Sequence, residues 1–143
     1  MERRMRKGFT LFELVLALSI FGLILSMTSV SFLELRPKYE LRKAVWEIQT
    51  CMYCARYRAI FEGKKQRITF IDDGYKIESN DNFNGWEEQV RGRLEGVRIE
   101  ANNSPIFHPA GTVSSLASIY VSNSWGKFKI TLAISGRIKA TQL

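Results

Sequence analysis

The 143-residue chain has room for one small domain beside a long apolar segment, which leaves little space for a large catalytic framework. Its formal charge of +7 divides into +3 on Met1–Gly8, where Arg3, Arg4, Arg6 and Lys7 stand against Glu2, and +4 on the remainder, far from a histone-like polycation. Two cysteines, Cys51 and Cys54, are too few for a disulfide framework, and no repeat or low-complexity tract points to a solenoid or a tail.

The first element in chain order is the charge-free run of twenty residues from Leu14 to Leu33. As a helix rising about 1.5 Å per residue it spans roughly 30 Å, the thickness of a bilayer core. Basic residues precede it and favour a cytoplasmic N-terminus, although Arg36, Lys38, Arg42 and Lys43 follow on the other side. An ordinary secretory signal would also show a basic start and an apolar stretch, with Ser29-Val30-Ser31 before Phe32 as its cut. Glu13 argues against that reading. A carboxylate near the start of an apolar helix is costly in lipid, and an intramembrane acid normally has a partner.

Lys7-Gly8-Phe9-Thr10-Leu11-Phe12-Glu13, followed at once by the apolar run, resembles the class III leader of type IV prepilins and pseudopilins. The resemblance implies a prepilin peptidase that cuts after Gly8 and methylates the new N-terminal residue, Phe9. It also implies a task for Glu13, the fifth residue counted from Phe9. A glycine at the cut leaves the backbone open to an approaching active site. The Glu13 carboxylate can neutralise the N-terminal amine of a neighbouring subunit and so set axial register, because that pairing is strong in a low-dielectric surrounding. The plainer reading of Glu13 is an acid snorkelling to the membrane surface; its spacing from Gly8 favours the register role.

Beyond the span, Leu41, Ala44, Val45, Ile48, Met52 and Ala55 recur at helical spacing, with Arg42, Lys43, Glu47 and Arg56 off that face. Pro37 predicts a kink or a short break, and Gly63 an end. Gln66–Ile71 and Tyr75–Ser79 flank Asp72-Asp73-Gly74 as a hairpin, and the polar stretch Asn80–Gly85 reads as a loop. Strands are predicted over Gly96–Ala101, with Val97 and Ile99 on one face, over Ser104–Phe107, Leu116–Val121 and Lys127–Ser135, and more weakly over Arg137–Gln142. Strands crowded after one long helix predict an α+β fold.

Ile106-Phe107-His108-Pro109-Ala110-Gly111-Thr112, then a strand, a turn, Lys129–Ile134 and Gly136-Arg137-Ile138-Lys139, resemble the GspH/FimT group of minor pseudopilins and the similar competence pseudopilin ComGD. That resemblance implies the pilin architecture: a long N-terminal helix, its first half transmembrane, packed on a C-terminal antiparallel β domain. Residues 72–100 carry no part of that resemblance.

Little in the chain looks catalytic. Cys51-Met-Tyr-Cys54 reads as CxxC, but both cysteines fall inside the helical pattern and not at a helix start, where a thiolate would be stabilised. Buried or groove-lining thiols account for them, and a local disulfide is the alternative. His108 is the only histidine and has no readable partner; Asp72-Asp73 fit a turn better than a calcium site. An enzyme is not expected, nor a cofactor or metal.

Trp125-Gly-Lys127-Phe128-Lys129 interleaves bases with aromatics, as in proteins on which single strands stack. Strand alternation is the simpler account, with Phe128, Ile130, Leu132 and Ile134 inward and Lys127, Lys129, Thr131 and Ala133 on a solvated face. A three-residue turn of Ser135, Gly136 and Arg137 then pairs Ile134 with Ile138, sets Lys139 opposite Ala133 on the outer face, and leaves Arg137 at the tip. A two-residue turn would bury Arg137 and Lys139, which is expensive. In the FimT-like relatives a Gly-Arg-x-Arg segment here is implicated in DNA capture. Lys139 stands where the second arginine belongs, which keeps the charge and loses the bidentate phosphate geometry. Residues 101–143 hold four Lys/Arg and no acid, so the C-terminal end suits an anionic partner.

The sequence therefore predicts a leader (1–8), a transmembrane and filament-core helix half (9–35), and an extracytoplasmic helix half with a β-sheet domain (36–143). The expected role is a minor pilin or pseudopilin of a type II secretion, type IV pilus or competence filament. It is single-pass in the cytoplasmic membrane with its C-terminal domain outside, and its partners are the prepilin peptidase, other pilins and the membrane. Two other readings stand beside it: a DNA-receptor minor pilin using Arg137, Lys139, Lys127 and Lys129, and a soluble β domain secreted after cleavage at Ser31.

Overall fold

The computed structural model describes residues 9–81 and 85–143, without the side chains of residues 27–34 and Asp81; the expected cleavage residue Gly8 lies outside the described residues. In order these are α1 (Leu11–Glu62), β1 (Lys65–Ile71), β2 (Gly74–Asp81), β3 (Gly85–Arg93), β4 (Arg98–Ala101), β5 (Ile106–Phe107), β6 (Val113–Ser114), β7 (Ser118–Ser122), β8 (Lys127–Leu132) and β9 (Ile138–Gln142). The fold is α+β with antiparallel sheets, and the chain divides into two compact units, Met1–Arg36 and Pro37–Leu143.

In the first unit every described side chain from Phe9 to Ser26 is exposed, although most are apolar. A helix that is apolar all round belongs in lipid or inside an assembly. Its hydroxyls are turned inward on its own backbone: Ser19 Oγ donates to Val15 O at 2.8 Å and Ser26 Oγ to Leu23 O at 2.9 Å, which satisfies their donors within the helix. The expected span Leu14–Leu33 runs into residues 27–34, outside the described side chains. Among the described residues no helix is long and apolar enough to cross a membrane.

The predicted break at Pro37 does not occur, since α1 continues through it. Proline forfeits one backbone bond there, while Asn123 Nδ2 donates to Pro37 O at 2.6 Å and ties the β7–β8 turn to the helix. Gly63 ends α1 as predicted, with a φ of 66° that a side chain would resist.

In the second unit the predicted helix face is the buried one. Leu41, Ile48, Met52 and Ala55 are fully covered and form one core with Ile68, Phe107, Ile119, Val121 and Ile130 from the strands. Two antiparallel sheets supply those strands, one in the order β3-β2-β1-β5-β6 and the other β4-β7-β8-β9. Asp72-Asp73 form the β1–β2 turn, with Ile71 paired to Gly74. The predicted loop Asn80–Gly85 is shorter than expected, because β2 runs to Asp81 and β3 begins at Gly85.

Two strand expectations need correction. β3 was not foreseen: its sequence GWEEQVRGR is mostly exposed and carries no alternating apolar face, because it is an edge strand held to β2 by main-chain pairing. The last turn is also longer than expected. Ile138 pairs with Leu132 and Lys139 with Thr131, two residues off the predicted partners, and Ala133–Arg137 form the loop. Ala133 N donates to Arg137 O and Gly136 N to Ala133 O, while Val113 N donates to Ile134 O at 2.9 Å and holds Ile134 out of the ladder. Ile134 is 65% exposed, not inward.

Candidate functional site

Two surfaces carry the predicted site residues. At the N-terminus, Phe9 is 78% exposed and Thr10 caps α1. Glu13 N–H donates to Thr10 Oγ1 at 3.2 Å and Leu14 N–H to Thr10 O at 3.2 Å. Glu13 thus occupies the third helical position, where a carboxylate is favoured by the helix dipole and can reach back to the cap. The Thr10-x-x-Glu13 spacing is a capping-box signal, legible in the sequence beside the leader motif.

At the C-terminal end the four-stranded sheet gathers three of the four basic candidates on its outer face. Lys127 lies opposite Ser122, Lys129 opposite Tyr120, and Lys139 opposite Thr131. The buried partners of these strands, Ile119, Val121, Ile130, Leu132 and Ile138, all point the other way, which leaves the lysines no inward option. Lys127 Nζ sits 4.6 Å and Lys129 Nζ 5.6 Å from the Tyr120 ring centroid, cation–π contacts that spread the two charges over one aromatic face. Arg98 on β4 extends the row, paired with Glu100 at 3.3 Å. Arg137 is exposed in the loop that follows β8 and stands apart from the strand face.

That loop is held by a residue expected off the apolar face of the helix. Arg56 of α1 is half-buried; its Nε donates to Gly111 O at 3.1 Å and its guanidinium reaches Gly136 O at 3.5 Å, the outer limit of a bond. A side chain at Gly136 would collide with the Arg56 guanidinium, and its φ of 78° already favours glycine. One arginine therefore braces both glycine turns of the C-terminal motif.

Elsewhere the reactive groups are quieter than their letters suggest. Both cysteines are free, Cys51 buried and Cys54 exposed along a groove of α1. Burial, with Cys54 and Glu47 nearby, pushes the Cys51 thiol up to about 12, so it is not a thiolate at neutral pH. Burial likewise pushes the Tyr75 hydroxyl to about 12. His108 Nε2 shares a 2.7 Å hydrogen bond with Ser114 Oγ, with no carboxylate in the pair. Among the described residues no group of three His, Cys, Asp or Glu is placed to hold a metal ion.

The family model for the prokaryotic N-terminal methylation motif matches residues 3–29. No curated protein matches the chain. Among solved structures, the chain is similar to the minor pseudopilin EpsH from the type 2 secretion system of Vibrio cholerae, at a TM-score of 0.62 and 11% identity over 72% of this chain and 97% of that one. It is also similar to the type IV minor pilin FimU of Pseudomonas aeruginosa, at 0.58 and 14% over 71% and 92%, and at 0.61 and 14% over 73% and 90% in a second crystal form.

Proposed function

We propose that this type IV pilin-like chain, with an N-terminal methylation motif followed by the fold it shares with EpsH and FimU, works as a minor pilin or pseudopilin. It is a membrane-anchored filament subunit, and its work is structural, not catalytic. The prepilin peptidase cuts between Gly8 and Phe9 and methylates Phe9, and the apolar half of α1 then holds the subunit in the cytoplasmic membrane with residues 36–143 outside. Glu13 sets register by meeting the amine of a neighbouring Phe9. The observation that carries this reading is the order glycine, phenylalanine, capped helix start, glutamate and apolar helix, joined to a pilin-like β domain.

Mass spectrometry of the mature protein is the test. It should find N-methyl-Phe9 at the N-terminus, and Gly8→Arg should leave the leader attached. A mature chain beginning at Phe32 would overturn the reading in favour of a secreted β domain.

A second reading is favoured by one specific arrangement: Lys127, Lys129 and Lys139 share an outward sheet face on which the one acid, Glu100, is paired with Arg98. On that reading the subunit also binds DNA through phosphate contacts, with Arg137 contributing from the adjoining loop.

A further inference from the structure

α1 runs unbroken through Pro37, the fourth residue after the charge-free run Leu14–Leu33. Proline has no N–H to donate, so the carbonyl of Leu33, four residues back, receives no helical hydrogen bond from it. Such an orphan is costly in hydrocarbon, whereas headgroups and water satisfy it, so this stretch of α1 suits a membrane surface. Residues 34–43 hold Arg36, Lys38, Arg42 and Lys43 against Glu34 and Glu40. Lys38 and Arg42 are one turn apart on one side of α1, and both lie over the indole of Trp125. Lys38 Nζ is 5.5 Å and Arg42 Cζ 6.0 Å from the ring centroid. Glu40 is two positions from each, on the other side of the helix, with its carboxylate packed where a side chain at Gly96 would stand.

The β7–β8 turn brings Trp125 to this point of the chain, and Asn123 holds the turn by three bonds. Its Nδ2 donates to Pro37 O at 2.6 Å, its Oδ1 accepts from Trp125 N–H at 2.9 Å, and its own N–H donates to Gly126 O at 3.0 Å. Trp125 is half-buried against the core, so its ring is ordered while part of it stays accessible. Resting on the membrane-anchored reading above, we infer that Lys38, Arg42 and Trp125 form a docking surface for anionic phospholipid headgroups, which seats the β7–β8 turn on the membrane before the subunit enters a filament. Arg42 presents paired N–H donors to a phosphate diester, and Lys38 adds a point charge. The indole, apolar over its body with an N–H at its edge, suits the boundary between acyl chain and headgroup. A zwitterionic headgroup carries its own cation beside the phosphate. An anionic one leaves that charge uncompensated, so two bases select the anionic kind.

Trp125 is its own reporter once the other two tryptophans are replaced, by Trp46→Phe and Trp86→Phe. The mature full-length chain should be reconstituted into vesicles of phosphatidylcholine, with or without phosphatidylglycerol, that carry a nitroxide on the headgroup. Phosphatidylglycerol should deepen the quenching of Trp125 and raise the docking equilibrium about twentyfold, roughly fivefold for each cation. Lys38→Gln with Arg42→Gln should remove that gain, and added salt should weaken it. Lys38→Arg with Arg42→Lys, which keeps both charges, should retain most of it. A chain that keeps only Trp46, nine residues further along α1, should show no dependence on the lipid. Equal quenching of Trp125 in the two kinds of vesicle, or a gain that survives the loss of both cations, overturns this inference alone. A chain that fails to float with vesicles of either kind overturns the membrane-anchored reading together with it.

Discussion

Glu78 shows how far a single residue's environment departs from its place in the sequence. It lies on a predicted strand yet is only 6% exposed, with Arg67 Nε at 2.9 Å, Lys76 Nζ at 3.0 Å and Thr69 Oγ1 at 3.0 Å. Arg67 also packs over Trp86, 4.3 Å from the ring centroid. Burial alone would raise the Glu78 pKa; the bonds from Arg67, Lys76 and Thr69 outweigh it and hold it near 2, against an ordinary 4.5. Because the folded value is the lower one, the carboxylate stabilises the fold fully above about pH 4.5, and that contribution is lost as pH falls toward 2. Thermal unfolding followed from pH 6 to pH 2 should show a steepening loss of stability in that window. Glu78→Gln should flatten it and should cost about 1–3 kcal/mol at pH 7. An unchanged profile in the variant would show that other carboxylates govern the acid limb. None of these partners was legible beforehand, because two cations and a hydroxyl converge on one oxygen pair only after β1 and β2 take their register.

At the scale of elements, the start of α1 poses a choice between two roles for Glu13. As a capping residue it needs a side chain that accepts a hydrogen bond at the third helical position; as a register device it needs a negative charge. Glu13→Gln separates them, since glutamine keeps the reach and loses the charge. Filament incorporation of Glu13→Gln should be as impaired as that of Glu13→Val, with leader cleavage largely intact in both. Recovery with glutamine would assign Glu13 to the cap beside Thr10 and not to a neighbouring amine. The β8–β9 connection carries a different lesson. Alternation correctly placed Lys139 on the outer face and Ile138 inside, and it misplaced their partners by two residues. A slip of one residue exchanges the faces of a strand, but a slip of two preserves them, so hydrophobic pattern cannot detect it. The deciding contact is the bond from Val113 N to Ile134 O, made by a strand far away in sequence.

For the whole molecule the open question is whether its basic end is a binding surface or a solvated one. If phosphate contact occurs, the mature protein in detergent should bind duplex DNA weakly and without marked sequence preference. Its affinity should fall steeply with salt, by roughly 0.9 in logarithmic slope for each phosphate neutralised. Replacing Arg137 and Lys139 by glutamine should flatten the slope by about two units, and Lys127 with Lys129 should behave likewise if the sheet face takes part. Lys64, which follows α1, and Lys65, the first residue of β1, are the control pair. Equal losses from all pairs would mean diffuse attraction, and no binding at low salt would sink the second reading while leaving the filament role intact. The sequence by itself determined the N-terminal methylation motif, the long helix, the buried face of its second half and the α+β class, because these depend on local order and on periods of 3.6 and 2 along the chain. Only the tertiary structure decided that a charged nine-residue segment is an edge strand, that Arg56 braces two glycine turns, and that Lys139 pairs with Thr131 and not with Ala133. Each of those depends on residues brought together from distant parts of the chain, where strand pairing and packing, not neighbouring letters, set which side chains meet.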